Sequence, residues 1–245
     1  MTYHRDAGCP EYWLYDGLRI QAEVETHRFV VSYARAHASS GSRVLDLAAG
    51  QGALSKQLAD AGFQVSCTSW NGKCQVPIPT YELNLDLPFS LADVGGAPFP
   101  LVCAIEIIEH LENPTGFLRH CHGLVASGGT LILSTPNVES AAARLQWLVR
   151  GCPRIFDVGE VQTNRHISMM WRQGLEHLIE LAGFRIVERH FLSTVPLRRT
   201  LRTVVKQLIY RAMEYALPGD TRGSTRLYVL APSTAPKTAG PEQVY

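Results

Sequence analysis

Two carboxylates and a histidine stand close together near the middle of the chain, at Glu106, Glu109 and His110. Residues three and four positions apart lie on one side of a helical turn, so this spacing predicts that the three side chains face the same way. Carboxylate and imidazole ligands together suit a divalent cation such as Mg²⁺, Mn²⁺ or Zn²⁺. A histidine so placed can instead act without metal as a general base. The segment therefore predicts either a metal site or a proton acceptor.

A second feature is the turn of small residues from Ala48 to Gly52, which follows a short apolar strand and Asp46. Glycines let the backbone approach a ligand closely, and the helix that follows points its N-terminus at the same place. Turns of this kind bind nucleotide-like ligands in several classes of enzyme, and some have no ligand at all. The turn alone leaves a cofactor site and a purely structural turn both open.

The carboxylate–histidine group and the glycine-rich turn can lie close together only if the strands before them end at the same edge of one sheet. From Arg43 onwards, apolar strands alternate with amphipathic helices, which predicts a mainly parallel sheet with crossover helices on both faces. Sheets of this kind bind ligands at the carboxyl ends of their strands. The seven predicted strands are Arg43–Leu47, Phe63–Thr68, Thr80–Leu85, Leu101–Ile105, Thr130–Ser134, Phe184–Phe191 and Leu227–Leu230. The predicted helices are Leu18–Ala38, Ala53–Ala61, Pro114–Val125, Ala141–Val149 and Trp171–Ala182.

The fold class predicted from this pattern is α/β and Rossmann-like, over residues 40–230. Residues 1–39 are rich in aromatic side chains and are expected to form a helical segment on the substrate side. Residues 192–225 predict a helical insertion between strands six and seven. Residues 231–245 contain three prolines and few apolar side chains, which predicts a disordered tail.

Composition adds a few exclusions. The formal net charge is +1, so the overall charge gives no reason to expect nucleic acid as a partner. The six cysteines include no C-x-x-C pair, which argues against a structural cysteine zinc site and a disulfide framework and predicts reduced thiols. We find neither a signal-peptide pattern nor an apolar run long enough to span a membrane, so a cytoplasmic protein is expected.

The ordered series of motifs resembles that of the class I S-adenosylmethionine (SAM) dependent methyltransferases. Asp46, Ala48, Gly50 and Gly52 match that family's first motif, acidic-x-Gly/Ala-x-Gly-x-Gly. The segments 106–111 and 127–137 are similar to the regions around strands four and five in a branch that includes ubiquinone-pathway O-methyltransferases and polysaccharide-type methyltransferases. The resemblance covers roughly residues 40–190, and it implies SAM as the cofactor.

The resemblance also implies which residues hold the cofactor. Ser69 takes the place of the acidic residue that usually binds the ribose hydroxyls, and it predicts weaker binding because a hydroxyl cannot accept two hydrogen bonds as a carboxylate does. Trp70 could stack on the adenosine, and Asp86 is an alternative to Glu82 and Asn84 if the register shifts by two residues. The implied set is Asp46, Ala48, Gly50, Gly52, Ser69, Trp70, Glu82, Asn84 and Glu106.

The Glu-x-x-Glu-His group resembles the metal-binding group of small-RNA 2′-O-methyltransferases and some ubiquinone-pathway enzymes, in which a later histidine completes the site. His166 would be that histidine here. The resemblance therefore implies a divalent metal held by Glu106, Glu109, His110 and His166. Other relatives carry Glu-His at this place with no metal proposed, which leaves His110 or His166 as a metal-free catalytic base.

The expected function is SAM-dependent O-methylation of a small molecule or of a glycan- or lipid-linked acceptor. N-methylation remains open. The alternatives are a non-catalytic binding module that keeps the methyltransferase fold, and metal-dependent RNA 2′-O-methylation, which the near-neutral charge disfavours. A dehydrogenase is less consistent with the segments after strands four and five.

The insertion between strands six and seven has a basic amphipathic pattern from Leu197 to Arg211. Such a helix can lie peripherally on an anionic membrane, hold a phosphorylated acceptor, contact a protein partner or pack on its own domain. The sequence leaves these alternatives open.

Overall fold

The computed structural model describes residues 3–6, 9, 12–153, 155–193 and 201–233, with the backbone alone at residues 202 and 203. Its strands are β1 Tyr3–Arg5, β2 Trp13–Tyr15, β3 Leu18–Ile20, β4 Arg43–Leu47, β5 Gln64–Ser69, β6 Thr80–Glu82, β7 Phe99–Ile105, β8 Val125–Pro136, β9 Phe184–Leu192 and β10 Thr225–Pro232. The α-helices are α1 Val24–His37, α2 Ala53–Asp60, α3 Pro114–Leu124, α4 Ala141–Arg150, α5 Val158–Asn164, α6 Arg172–Leu181 and α7 Leu201–Ala216.

The seven strands from β4 to β10 form one sheet in the order β6-β5-β4-β7-β8-β10-β9. All neighbouring pairs are parallel except those of β10, which is antiparallel to both β8 and β9. Strand order therefore reverses between β4 and β7, and the carboxyl edge at that point is the expected place for a ligand. The predicted seven-stranded, mainly parallel α/β sheet is confirmed.

Each face of the sheet is covered by a separate hydrophobic cluster. On one face α3 and α6 contribute side chains such as Phe117 and Ile179. On the other face α1 and α2 contribute side chains such as Val31 and Leu58. Successive side chains of β10 point to opposite faces of the sheet, so Leu227 lies in the second cluster and Tyr228 in the first, as expected for a strand covered on both sides.

The N-terminal segment differs from its prediction. The helix predicted over Leu18–Ala38 begins only at Val24, and β1, β2 and β3 form an antiparallel sheet ahead of it. Asp16 and Gly17 connect β2 to β3 with φ angles of 50° and 78°. A two-residue turn with left-handed backbone at both positions suits a hairpin, and Asp-Gly is a favoured sequence for it. The helical prediction was wrong there because three residues are too few to show the alternating pattern of a strand.

The C-terminal region differs from its prediction at the start of the tail. The insertion contains helix α7, and β10 extends to Pro232, two residues into the segment predicted to be disordered. Residues 194–200 and 234–245 lie outside the described residues. All six cysteines are free thiols. Among the described helices, we find none that is both long and apolar enough to cross a membrane.

Candidate functional site

The glycine-rich turn between β4 and α2 has left-handed backbone at Ala48, Gly50 and Gly52, with φ angles of 59°, 56° and 91°. Thr68 of β5 fixes the start of the turn. Its hydroxyl accepts from the Ala48 amide at 2.9 Å and its carbonyl accepts from the Ala49 amide at 3.0 Å. The turn is therefore held open at the carboxyl edge of the sheet by the neighbouring strand.

Both glycines of the turn lie against other segments of the chain. A Cβ on Gly50 would collide with the side-chain amide of Gln21, and a Cβ on Gly52 would lie 2.6 Å from Cγ2 of Val76. Only glycine fits both the backbone angle and the space at these positions. The result is a cradle of bare backbone at the N-terminus of α2, with the exposed Gln21 amide beside it.

Asp46 is buried at the end of β4 and accepts a hydrogen bond from the Ser55 hydroxyl at 2.6 Å. Burial raises the pKa of Asp46 to about 7, and the Ser55 hydrogen bond opposes that rise. Because Ser55 belongs to α2, this contact ties the strand to the helix. Asp46 therefore helps to order the turn that follows β4.

The residues predicted for the adenosine end lie along β5 and β6. Ser69 is buried and its hydroxyl accepts from the Cys74 amide at 3.2 Å, so it also closes the loop that follows β5. Glu82 is paired with Ser69 across the two strands and is exposed. Trp70 is 52% exposed.

Asn84 and Asp86 form hydrogen bonds that order the loop after β6. The Asn84 side chain accepts from the Asp86 amide at 3.0 Å. The Asp86 carboxylate accepts from the Glu112 amide at 2.7 Å. Asp86 therefore connects this loop to the segment that follows β7.

Glu106 is the first residue after β7, and its backbone is left-handed with a φ of 48°. Its carboxylate accepts from the Ser134 hydroxyl at 2.7 Å. Burial raises the pKa of Glu106 to about 7, and the Ser134 hydrogen bond opposes that rise. The helical turn covers only Ile108–His110, so Glu106 does not share a helical face with Glu109 and His110 as the spacing predicted.

The other three predicted metal ligands come together. One ligand atom from each of Glu109, His110 and His166 lies within 4.8 Å of those of the other two. Glu109 is buried; its Oε2 accepts from the Thr135 hydroxyl at 3.1 Å, and its Oε1 has no hydrogen-bond partner among the described residues. Burial, together with the charge of Glu106, raises the pKa of Glu109 well above its usual range.

The two histidine rings are held in matching ways. Nδ1 of His110 lies 2.6 Å from the carbonyl oxygen of Asn164, and Nδ1 of His166 lies 2.6 Å from that of Ile155. A carbonyl only accepts, so each Nδ1 carries the proton and each Nε2 keeps a lone pair. Burial and the neighbouring His166 lower the pKa of His110, which favours its neutral form.

His166 reaches this place because its segment is fastened to the residues after β7. The amides of Ile167 and Ser168 both donate to the Glu109 carbonyl, at 3.0 and 2.9 Å. The Ser168 hydroxyl donates to the Leu111 carbonyl at 2.5 Å. The backbone of Glu109 thus positions the second histidine, while its side chain faces the first.

Several contributing residues were not predicted from the sequence. Thr135 and Ser134, at the end of β8, hold Glu109 and Glu106, and their signal was a polar pair at the end of an apolar strand. Gln21 and Glu23 lie in the segment between β3 and α1. Glu23 accepts from the Ser224 hydroxyl at 2.7 Å, so this segment is fastened next to β10. We find no sequence signal that would have pointed to it.

Comparison with known proteins adds the following. Residues 6–189 match the family model described as a methyltransferase domain. A ubiquinone biosynthesis O-methyltransferase of Caulobacter sp. (strain K31) is 34% identical over 105 residues, 40% of this chain and 42% of that protein. One of Xanthomonas axonopodis pv. citri (strain 306) is 32% identical over 114 residues, 43% of this chain and 48% of that protein. The chain thus aligns with less than half the length of these curated relatives.

Solved structures with the same fold include two methyltransferases. A SAM-dependent methyltransferase from Archaeoglobus fulgidus aligns with a TM-score of 0.56 and 15% identity, over 83% of this chain and 93% of that one. Magnesium protoporphyrin IX methyltransferase from Synechocystis PCC 6803, with bound S-adenosylhomocysteine, aligns with a TM-score of 0.55 and 16% identity, over 85% of this chain and 83% of that one. At these identities the likeness concerns the fold.

Proposed function

Because the chain belongs to the methyltransferase domain family, we propose that it transfers a methyl group from SAM to a hydroxyl group. The acceptor would be a small molecule or a glycan- or lipid-linked molecule. The observation that carries this proposal is the meeting of Glu109, His110 and His166 within 4.8 Å at the edge of the sheet. Such a group can take a proton from a hydroxyl or bind the metal that acidifies it. The names of the curated relatives, which are O-methyltransferases, support the choice of oxygen.

The cradle at Gly50 fits the amino-acid tail of SAM. Bare backbone and a helix N-terminus suit a carboxylate, and the Gln21 amide offers a donor and an acceptor beside them. Ser69 and Glu82 lie side by side at the ends of their strands, which supports assigning them to the ribose hydroxyls. When bound, SAM supplies a methyl group that is already activated for displacement.

In this proposal the two histidines act on the hydroxyl group of the acceptor. His110 and His166 each present an Nε2 lone pair, and the lowered pKa of His110 keeps that ring neutral near pH 7. Either Nε2 could accept the proton that a hydroxyl loses as its oxygen takes the methyl group. Glu109 faces His110, with Nε2 and Oε1 4.0 Å apart, and in its ionised form it could stabilise the protonated ring.

A divalent metal is the second candidate at the same place, and it would act as a Lewis acid that lowers the pKa of the acceptor hydroxyl. The buried, unpartnered Oε1 of Glu109 favours it, because such an atom lacks a cation or proton partner among the described residues. Glu109, His110 and His166 would hold the ion. Glu106 is engaged with Ser134 and lies outside this group.

The proposal is tested with His110→Asn and His166→Asn. We expect both variants to bind SAM as the wild type does in calorimetry, and to transfer radiolabelled methyl at least about 100-fold more slowly to whichever acceptor in a panel of phenols, catechols and sugars the wild type methylates. His37→Asn is the control, because its Nδ1 also contacts a backbone carbonyl, that of Tyr33 at 3.0 Å, but on the exposed side of α1.

Three outcomes would separate the candidates. Turnover that survives a chelator in the wild type supports the metal-free base and rules out the ion. Turnover lost with chelator and restored by Mg²⁺, Mn²⁺ or Zn²⁺ supports the metal, and Glu109→Gln should then need more ion. SAM binding without turnover on any acceptor of the panel would count against an enzyme and in favour of a binding module.

A further inference from the structure

Helix α7 turns an apolar side to solvent. Its partly buried residues are mixed in character: Val204, Gln207, Tyr210, Met213 and Glu214. The outward side has apolar residues at helical spacing, and all are exposed: Leu201, Val205, Leu208, Ile209, Ala212 and Tyr215. Surface helices of globular domains normally turn an apolar stripe to the core and a polar face to solvent.

The neighbouring helix α4 adds further exposed apolar side chains. α4 contacts α7, and its last turn exposes Trp147, Leu148 and Val149, with Leu148 84% exposed. Eight of the seventeen exposed large hydrophobic side chains among the described residues lie on these two helices. A concentration of this kind indicates a surface that binds something.

The charges on the two helices indicate what kind of partner this surface binds. By sequence, α4 and α7 carry five Lys or Arg residues and one Glu, a formal charge of +4, in a chain whose total is +1. Lys206 and Arg211 are exposed and fall on opposite flanks of the apolar stripe. Long basic side chains at the flanks of an apolar stripe can reach lipid headgroups while the stripe enters the bilayer surface.

We propose that the surface formed by α4 and α7 docks this protein on an anionic lipid bilayer. A second copy of the chain fits less well, because a twofold interface through the stripe would bring the exposed Lys206 and Arg211 of one copy close to those of the other. The location also suits the function proposed above, since α4 begins a few residues after β8 ends at the candidate site. The docking does not depend on that function.

The test is sedimentation with phosphatidylcholine vesicles, with and without phosphatidylglycerol. We expect binding to the mixed vesicles that weakens with added salt, and little binding to phosphatidylcholine alone. Lys206→Ala combined with Arg211→Ala should weaken binding about fivefold for each charge removed. Leu201→Gln combined with Leu208→Gln should weaken it at least about tenfold.

Matched controls come from other exposed positions. Arg35→Ala with Arg119→Ala removes two charges from α1 and α3, and Leu87→Gln removes an apolar side chain 58% exposed after β6. Both should bind vesicles as the wild type does, and circular dichroism should show every variant folded. The proposal is overturned if the wild type ignores anionic vesicles, if the α7 variants bind equally well, or if ultracentrifugation shows a dimer that Leu208→Gln dissociates.

Discussion

Gly50 is the residue at which the cradle can be tested most directly. Its φ of 56° is left-handed, and a side chain would collide with Gln21. We expect Gly50→Ala to weaken SAM binding at least about tenfold, because the new methyl group displaces the Gln21 amide from its place beside the cradle, and to cost about 1 kcal/mol of stability. Calorimetry with SAM and urea unfolding measure the two effects.

Gly41→Ala is the control for that substitution. Gly41 has a φ of 78°, but no atom would lie within 4 Å of its Cβ. It should lose a similar amount of stability and keep its SAM affinity. Equal loss of affinity in both variants would mean that backbone strain alone, and not a cradle at Gly50, explains the effect.

The residues of the site were predicted unevenly. Sequence motifs selected Glu109, His110 and His166, and the structure brings them together although His166 is far away in the chain. Glu106 was placed in the same group because of its spacing, but its left-handed backbone turns it towards Ser134. A pattern of residue types carries no information on a single φ angle, so this separation could not be predicted. The catalytic and cofactor roles remain predictions.

At the scale of elements, the central sheet was predictable and the N-terminal sheet was not. β7 is a continuous apolar run and β4 is a short, mostly apolar segment, each next to turn residues, which identifies buried parallel strands. β1, β2 and β3 have three residues each, too few for a periodic pattern. Only the Asp16-Gly17 turn could have identified the hairpin.

The N-terminal sheet is fastened to the glycine-rich turn through Gln51, whose side chain accepts from the Arg19 amide at 2.7 Å. We expect Gln51→Ala to release β3 from the turn and thereby loosen Gln21 over Gly50. Loss of one such hydrogen bond, about 1 kcal/mol, corresponds to about fivefold weaker SAM binding. Hydrogen exchange at the Arg19 amide should speed up in parallel.

Gln173→Ala on α6 is the control, because that glutamine is exposed and lies on another helix. Neither SAM affinity nor exchange at Arg19 should change in it. If Gln51→Ala also leaves both unchanged, β3 is held by its packing alone, through Leu18 and Ile20.

For the whole molecule, stability should depend on pH through His27. This side chain is buried beside Gln57, with its Nδ1 2.9 Å from Nε2 of that residue, and burial lowers its pKa to about 4. Between about pH 6.5, the unfolded pKa, and about pH 4, the unfolded chain binds a proton that the folded protein does not bind. The stability that neutral His27 contributes is therefore present above this range and is lost as the pH falls through it. The loss is about 3 kcal/mol.

His27→Asn removes this titration, so urea unfolding between pH 7 and pH 4 should show the wild type losing about 3 kcal/mol relative to the variant. Asp46 and Glu106, with pKa values raised to about 7, change stability in the opposite direction but equally in both proteins. A difference that stays constant with pH would show that His27 binds a proton as readily in the folded protein as in the unfolded chain. His37→Asn, at an exposed position, should follow the wild type.

The position of β10 between β8 and β9 has a consequence for synthesis on the ribosome. β8 and β9 are complete before Thr225 has been added, yet each has its β10-facing edge unpaired until that last strand arrives. Unpaired strand edges of a nascent chain are surfaces on which chains aggregate. Addition of β10 therefore completes the sheet. Slower translation before Thr225 would prolong the time in which this protein needs a chaperone.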